Sequence, residues 1–207
     1  MQTQEQLLDR LKKDTRVLQD ARVEQAFRAI DRADFVRDDY KVEAYEDYPL
    51  PIGEGQTISQ PTVVAFMLEQ LGVREGGIVL DVGCGSGWTT ALLAHMIGGK
   101  GKVYGVERVL TLVEFGRENL KKYDFHNVEI LEAQSELGLF QKAPFDRILV
   151  SASAPNKKMA EELLDQLKPG GALVIPIGDT IYRFTKDKNG GVRSKEFPGF
   201  AFVPLVS

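Results

Sequence analysis

Cysteine, histidine and tryptophan are almost missing from this 207-residue chain, which has one Cys, two His and one Trp. The lone Cys84 cannot close an internal disulfide. Its place between two glycines suits a small buried residue, and no histidine stands at a spacing that would activate it as a nucleophile. With only His95 and His126 and no Cys/His cluster, a zinc site lacks its ligands. No apolar run approaches the roughly 20 residues that span a bilayer. The start, Met1-Gln2-Thr3-Gln4-Glu5, lacks the basic-then-apolar pattern of a signal peptide, so a cytoplasmic protein without membrane association is expected. An excess of positive charge is lacking too. The net charge of −4 argues against life on nucleic acid, though not against a local basic patch, and favours small molecules or peptides as ligands. Repeats and low-complexity tracts are absent. What remains, 43% hydrophobic and 27% charged residues, is the composition of a globular domain of ordinary size, expected to act as a monomer.

The most informative stretch is Ile78-Val79-Leu80-Asp81-Val82-Gly83-Cys84-Gly85-Ser86-Gly87-Trp88, an apolar strand running into alternating glycines. Glycine tolerates positive φ and lets a ligand approach the backbone, so the loop is expected to bring its amides against something bound. Trp88 stands where a dinucleotide fingerprint wants a third small residue, which weakens a plain NAD reading. A second strand, Lys102 to Val106, ends in Glu107, about 20 residues beyond the loop, where a carboxylate can accept both hydroxyls of a ribose. Loop and acid together imply an adenosine-containing ligand, against the alternative of a purely structural βα unit.

Leu7, Leu8, Leu11, Val17, Leu18, Val23, Phe27 and Ile30 recur at mostly helical spacing and predict two short amphipathic helices. Tyr40 to Gly55 has no periodicity and reads as a long loop of the functional kind. Pro61 opens a helix through Leu71. After the glycine loop come a helix from Thr89 to Ile97, the strand ending at Val106, a helix near Leu110 to Tyr123 and a strand Val128 to Leu131. A strand Asp146 to Ser151 follows, then a helix Asn156 to Leu167 stopped by Lys168-Pro169-Gly170-Gly171, and a strand Ala172 to Pro176. Ile181 to Lys186 and Phe200 to Leu205 are strand-like, with Asn189-Gly190-Gly191 as a turn between them. The pattern predicts an α/β fold: a mostly parallel, doubly wound Rossmann-like sheet ending in antiparallel strands, with a small N-terminal helical attachment and ligand at the strands' carboxyl ends.

The segment Tyr45-Glu46-Asp47-Tyr48-Pro49-Leu50-Pro51-Ile52-Gly53-Glu54-Gly55-Gln56-Thr57-Ile58-Ser59-Gln60-Pro61, followed by the glycine loop, closely resembles protein L-isoaspartyl O-methyltransferases. The likeness continues in Ala143-Pro144-Phe145-Asp146, Ala152-Ser153-Ala154-Pro155, Gln166 to Gly171, Val174-Ile175-Pro176-Ile177-Gly178 and Phe202-Val203-Pro204-Leu205, and so covers most of the chain. The resemblance implies a methyltransferase that moves a methyl group from S-adenosylmethionine to the carboxylate of L-isoaspartyl, and D-aspartyl, residues in damaged proteins. The product would be S-adenosylhomocysteine and the methyl ester would initiate repair. The partners would be isoaspartyl proteins and peptides, with no nucleic acid.

By the same carry-over, Ser59 matches the active-site position, and Gln56, Thr57, Ile58 and Thr62 line the cofactor with Gly83, Cys84, Gly85 and Glu107. From the residues alone, Ser59 serves as well as an N-cap of the helix that Pro61 opens. Asp81 would orient the loop or meet the cofactor's amino group, with a supporting role favoured over the second. One departure is Gln134-Ser135, where the family usually carries Asp-Gly near the adenine. Gln134 can still accept from the adenine amino group, at a loss of about 1 kcal/mol. The chain also stops at Ser207, where relatives often continue, so contacts from a longer tail would be missing.

The expected organisation is a single domain, 1–207: N-terminal helices over 1–45, an active-site loop over 46–62, a cofactor-binding core over 76–178 and antiparallel strands over 179–207. Two rivals remain: a cofactor-binding module that has lost turnover, and a nucleic-acid amino methyltransferase. The second would place an Asn/Asp-Pro-Pro-aromatic run where Ser151-Ala152-Ser153-Ala154-Pro155 stands.

Overall fold

The computed structural model describes residues 2–205; Met1, read above for a signal pattern, and Val206-Ser207, the chain's end, lie outside the described residues. Helix α1 (Gln4–Lys13) starts in a capping box between Thr3 and Gln6, and α2 (Ala21–Ala29) is capped by the Asp20 carboxylate. Their apolar faces bury Leu7, Leu8, Leu11, Val23 and Phe27, and Phe27 meets the ring of Trp88 edge-on at 5.5 Å. These helices pack on the core that the next elements build.

A short antiparallel hairpin, β1 (Leu50–Gly53) and β2 (Gln56–Ile58), stands inside the segment expected to be loop. Four and three residues are too few for periodicity to register, although Leu50 and Ile52 are buried and alternate with exposed neighbours. Then follow α3 (Pro61–Leu71), β3 (Gly77–Val82), α4 (Trp88–Ile97), β4 (Gly101–Glu107), α5 (Leu110–Leu120), β5 (Val128–Glu132) and β6 (Phe145–Val150). The chain continues through α6 (Lys158–Asp165), β7 (Leu167–Ile177), β8 (Thr180–Lys186) and β9 (Val192–Pro198).

The seven-stranded sheet has the order β5-β4-β3-β6-β7-β8-β9, parallel from β5 to β7 and antiparallel at β8 and β9. The chain winds outward through β3, β4 and β5, then returns to β6 on the other side of β3. That reversal opens a crevice at the carboxyl ends of β3, β4 and β6. Both faces of the central strands are buried, which is why they read as continuous apolar runs. Val79, Leu149 and Val174 face one core with α3, α4 and α5, while Leu80, Ile148 and Leu173 face the other with α6.

The predicted α/β architecture and its antiparallel ending hold, but two boundaries move. Lys168 to Gly171 belong to β7, which runs from Leu167, and the helix before it is only Lys158–Asp165. The second strand after the Asn189-Gly190 turn is Val192–Pro198, not Phe200–Leu205. An edge strand exposed along most of its length carries Arg193, Lys195 and Glu196, so it lacks an apolar signature. Phe200 to Leu205 instead crosses back toward β6, joined at Ser153: the Ser153 amide donates to the Val203 carbonyl, and the Leu205 amide to the Ser153 carbonyl, both at 2.8 Å.

Close packing of α5 on the β3–α4 loop fixes the crevice. A β-carbon on Gly116 would lie 3.0 Å from the Gly85 carbonyl oxygen and 2.9 Å from Ile130 Cδ1. Alanine at 116 gains up to about 1 kcal/mol of helix propensity, yet it overpacks against backbone that cannot yield, at a cost of about 1–3 kcal/mol. Gly116→Ala is therefore expected to be net destabilising in urea unfolding. Gly99→Ala, with open space around it, should stay within about 0.5 kcal/mol of the wild type. Equal stabilities for the two variants would refute this packing.

Candidate active site

The loop between β3 and α4 uses its glycines as predicted for conformation, with φ of 73° at Gly83, 51° at Gly85 and 83° at Gly87. Four of its amides turn to the protein itself. Gly83 and Cys84 donate to the Val106 carbonyl at 2.8 and 3.2 Å, Gly87 donates to the Cys84 carbonyl at 2.8 Å, and Gly85 donates to Glu107 Oε2 at 3.0 Å. The loop thus ties itself to the end of β4, and what it offers a ligand is a surface bare of side chains. A β-carbon at Gly83 would reach within 3.1 Å of Leu205 Cδ1, and one at Gly85 within 3.1 Å of Ile52 Cδ1. Side chains there would fill the cradle between loop and roof.

Glu107 closes β4 and is 7% exposed. Its Oε1 accepts from the amides of Arg108 and Val109 at 2.8 and 3.0 Å, so three backbone donors hold the carboxylate at the crevice. Asp81, one residue before the end of β3, is fully buried. It accepts from the hydroxyls of Thr89 and Thr90 through Oδ2, at 2.6 and 2.7 Å, and from Ser151 through Oδ1 at 2.8 Å. Burial raises its carboxyl above the usual range, while the three hydroxyls pull the other way. Asp81 is thus a brace for the strand ends, in line with the supporting role the sequence favoured, and its partners are three hydroxyls.

Two cavities meet beneath the β1–β2 hairpin. The larger, about 400 Å³, runs along the strand ends. Of the predicted residues, Gln56, Gly83, Gly85, Glu107, Gln134 and Ser135 line it, as does Thr57. The smaller, about 30 Å³, is lined by Ile58, Ser59, Cys84 and Trp88. Thr57, Gly83, Gly85 and Ser151 belong to the walls of both, so the chambers adjoin. Burial pushes the Cys84 thiol well up, which leaves it a small neutral side chain and no nucleophile.

Ser59 is half-buried and does not cap α3, against one of its two expected roles. The cap position is Gln60, without a side-chain bond, and the helix's Thr62 amide donates instead to Asp47 Oδ1 at 2.9 Å. Thr62 Oγ1 donates to Asp47 Oδ2 at 2.6 Å, so Thr62 is engaged with the preceding loop and lines neither cavity, a correction to its predicted place. Gln134 Nε2 donates to the Glu132 carbonyl at 3.3 Å, across the larger cavity from the glycines. Sequence reasoning missed Ser151, whose only signal is its place at the carboxyl end of β6 beside the switch point. It also missed Ile52 and Leu205 as walls, because β1 is too short for its alternation to register and Leu205 lies in a terminal segment without a period.

The residues fit an adenosine-bearing group: a strand-end carboxylate for a diol, a bare loop for close approach, and Val106, Ala133 and Met159 as apolar surface for a flat ring. Comparison with known proteins points the same way. The family model described as Protein-L-isoaspartate(D-aspartate) O-methyltransferase (PCMT) matches residues 2–207. A Thermococcus onnurineus protein-L-isoaspartate O-methyltransferase is 46% identical over 196 residues, covering 92% of this chain and 87% of the relative. A Methanopyrus kandleri protein of the same description is 44% identical over 207 residues, covering 98% and 90%. Among solved structures, a Plasmodium falciparum protein assigned as a protein-L-isoaspartate O-methyltransferase, in complex with S-adenosyl-L-homocysteine, superposes with a TM-score of 0.87. It is 29% identical, and the match covers 100% of this chain and 99% of that one.

The Asp81 brace has a measurable signature. Asp81→Ala strands three hydroxyls and should cost about 3 kcal/mol, whereas Asp81→Asn keeps an acceptor for the threonines and a donor for Ser151 and should cost about 1 kcal/mol or less. Because the folded carboxyl titrates above the unfolded one, its contribution is complete below the ordinary carboxylate value and is lost as pH rises through the folded value. Relative to Asp81→Asn, the wild type should therefore lose stability on going from about pH 4 to pH 7 in urea titrations. A difference that does not vary with pH would refute the assignment.

Proposed function

The chain belongs to the protein-L-isoaspartate O-methyltransferase family, and from that membership we propose how its residues divide the work of methyl transfer. The enzyme is an S-adenosylmethionine-dependent carboxyl O-methyltransferase acting on isoaspartyl residues in damaged proteins, and the methyl ester initiates their repair. When bound, the cofactor supplies a methyl group on a sulfonium centre and is released as S-adenosylhomocysteine. In our reading Glu107 accepts from the ribose hydroxyls, Gly83 and Gly85 let the cofactor lie against bare backbone, and Gln56, Thr57, Gln134 and Ser135 complete its walls.

The observation that carries the reading is the shared wall of the two cavities: Thr57, Gly83, Gly85 and Ser151 separate a chamber large enough for the cofactor from a small one that contains Ser59. The free carboxyl of an isoaspartyl residue is an α-carboxyl with a pKa of about 3.5, ionised at neutral pH, so no general base is needed. The work left is alignment and exclusion of water. Ser59 donates one hydrogen bond to orient the acceptor oxygen without quenching the charge that has to react. Ile58 and Cys84 supply apolar or neutral surface around it.

We read the chain as one domain, with 46–62 as its active-site loop, working as a monomer in the cytoplasm on protein and not on nucleic acid. A net charge of −4 supports a peptide substrate over nucleic acid. No helix among the described residues is long and apolar enough to cross a membrane.

The test is incubation with labelled S-adenosylmethionine and matched isoaspartyl and aspartyl peptides. Base-labile methyl ester on the isoaspartyl peptide alone is expected; tight, salt-sensitive nucleic-acid binding with no ester would overturn the reading. In the same assay Ser59→Ala should lower kcat by about 10-fold or more with cofactor affinity nearly unchanged, as for loss of one hydrogen bond made in the transition state. An unchanged rate would remove Ser59 from the mechanism. Glu107→Gln, which keeps the shape of the side chain, should weaken S-adenosylhomocysteine binding by about 10- to 150-fold, the scale of a charge-assisted bond. Calorimetry showing no loss would place Glu107 away from the ribose.

A further inference from the structure

Arg32 is a charge in an unexpected place. It opens the short 3-10 turn Arg32–Phe35 after α2 and is 2% exposed, among the most buried large side chains of the protein. Its guanidinium bonds to backbone carbonyls and to no carboxylate: Nη1 donates to Ala44 at 2.7 Å and Glu46 at 3.2 Å, and Nη2 to Tyr48 at 3.0 Å and Ser59 at 3.1 Å. Its Nε is buried without a partner, and its guanidinium carbon lies 5.3 Å from the centre of the Trp88 ring. Burial pulls its pKa down to about 10, with the Asp47 charge opposing.

Burying a cation without a hydrogen-bonded carboxylate is costly, and an apolar side chain of similar volume often serves a core as well or better. The cost has a return only if the acceptors must be held. Here they belong to two stretches of chain with little regular structure of their own, 44–48 and Ser59, drawn onto one planar fork. Ser59 and Trp88 are also both walls of the small cavity.

We propose that Arg32 is a positioning residue for methyl transfer: it fixes the peptide plane of Ser59 against residues 44–48 and the Trp88 ring, and so sets the line along which the Ser59 hydroxyl meets the acceptor. This rests on the role given to Ser59 above. A residue that only staples the loop lowers the melting temperature and leaves the turnover of the folded enzyme alone. A positioning residue changes kcat while substrate and cofactor still bind.

Arg32→Lys tests the difference, because a compact ammonium cannot span four carbonyls in two directions. With the full-length enzyme and an isoaspartyl peptide, kcat should fall by about 10- to 100-fold, the scale of a misplacement of about 1 Å. The KM for peptide and the Kd for S-adenosylhomocysteine should stay within about threefold, as expected when alignment and not binding is lost. The double variant R32K/S59A should be no slower than S59A alone, since two changes acting through one group do not multiply. Wild-type kcat in folded R32K, or fully multiplicative losses in the double variant, overturns the proposal.

If R32K does not fold, R32Q, which keeps a planar pair of N–H donors, replaces it, and failure of both assigns Arg32 to folding and overturns the proposal as well. A slow R32K beside an S59A of wild-type rate would sink the Ser59 reading and this route with it. An impaired S59A beside an unimpaired R32K would sink only the role of Arg32.

Discussion

A carboxylate sealed at the end of β3 sets the geometry on which the site depends. Strands β3 and β6 end at the crevice and α4 begins there. Asp81 joins them by accepting from two hydroxyls in the first turn of α4 and from Ser151 just past β6. Glu107 does the same on the far side, gathering the amides of Gly85, Arg108 and Val109. The glycine loop is strung between these two acids. The amides of Gly83, Cys84, Gly85 and Gly87 are spent on holding it in place, so its shape is set largely by the protein itself. Preorganisation of that kind moves the entropic cost of alignment from binding to folding.

The side on which we place the acceptor is held by different means. The ends of β3, β4 and β6 belong to a rigid sheet, whereas residues 44 to 60 have only a two-stranded hairpin, which is marginal on its own. Two arginines, Arg32 buried and Arg37 at the surface, supply what secondary structure does not. Arg32 collects the carbonyls of 44–48 and Ser59. Arg37 donates through Nε to the Ile52 carbonyl at 2.7 Å while lying 4.2 Å from the centre of the Phe115 ring, which ties the hairpin to α5. Asp47 caps α3 from the same loop. The chemistry explains the asymmetry. An acceptor that is already ionised asks for no proton transfer, so the substrate side has to deliver only position, and the exacting residues are those that fix backbone.

Legibility in the sequence follows the same division. The parallel core could be read because strands buried on both faces are apolar runs bounded by glycine, and Gly83, Gly85 and Glu107 could be placed at the crevice because strand, turn and acid have a fixed spacing. The β1–β2 hairpin could not, since so few residues carry no period, and β9 could not, since an exposed edge is written in charges. Ser59 was singled out only through the motif around it; from the residue alone, capping explained it as well, until Asp47 proved to be the cap. Thr62 was misplaced for the same reason, because a threonine's side of a helix start depends on a partner fifteen residues away. Arg32 gave no signal at all: a single arginine in a charged stretch reads as solvated surface, and only the convergence of four distant carbonyls makes it a core residue.

The terminal segment shows how hydrophobicity was allotted between edge and cavity. Phe200 to Leu205 is more apolar than β9, and on composition it would make the better strand. Paired onto β8, it would leave a long apolar edge open to other chains, whereas the charged β9 in that position discourages such pairing. The apolar stretch is used instead where a sheet cannot reach. Phe66 of α3 meets Phe197 edge-on at 5.0 Å and stacks with Phe200 at 5.3 Å, which turns the chain back over the sheet. The two bonds at Ser153 then seat Leu205 beside Gly83, where it becomes a wall of the larger cavity. The absence of a side chain at Gly83 is thus required twice, by the loop's positive φ and by a residue 122 positions later in the chain. A substitution there would press on Leu205 as well as on the loop that contains it.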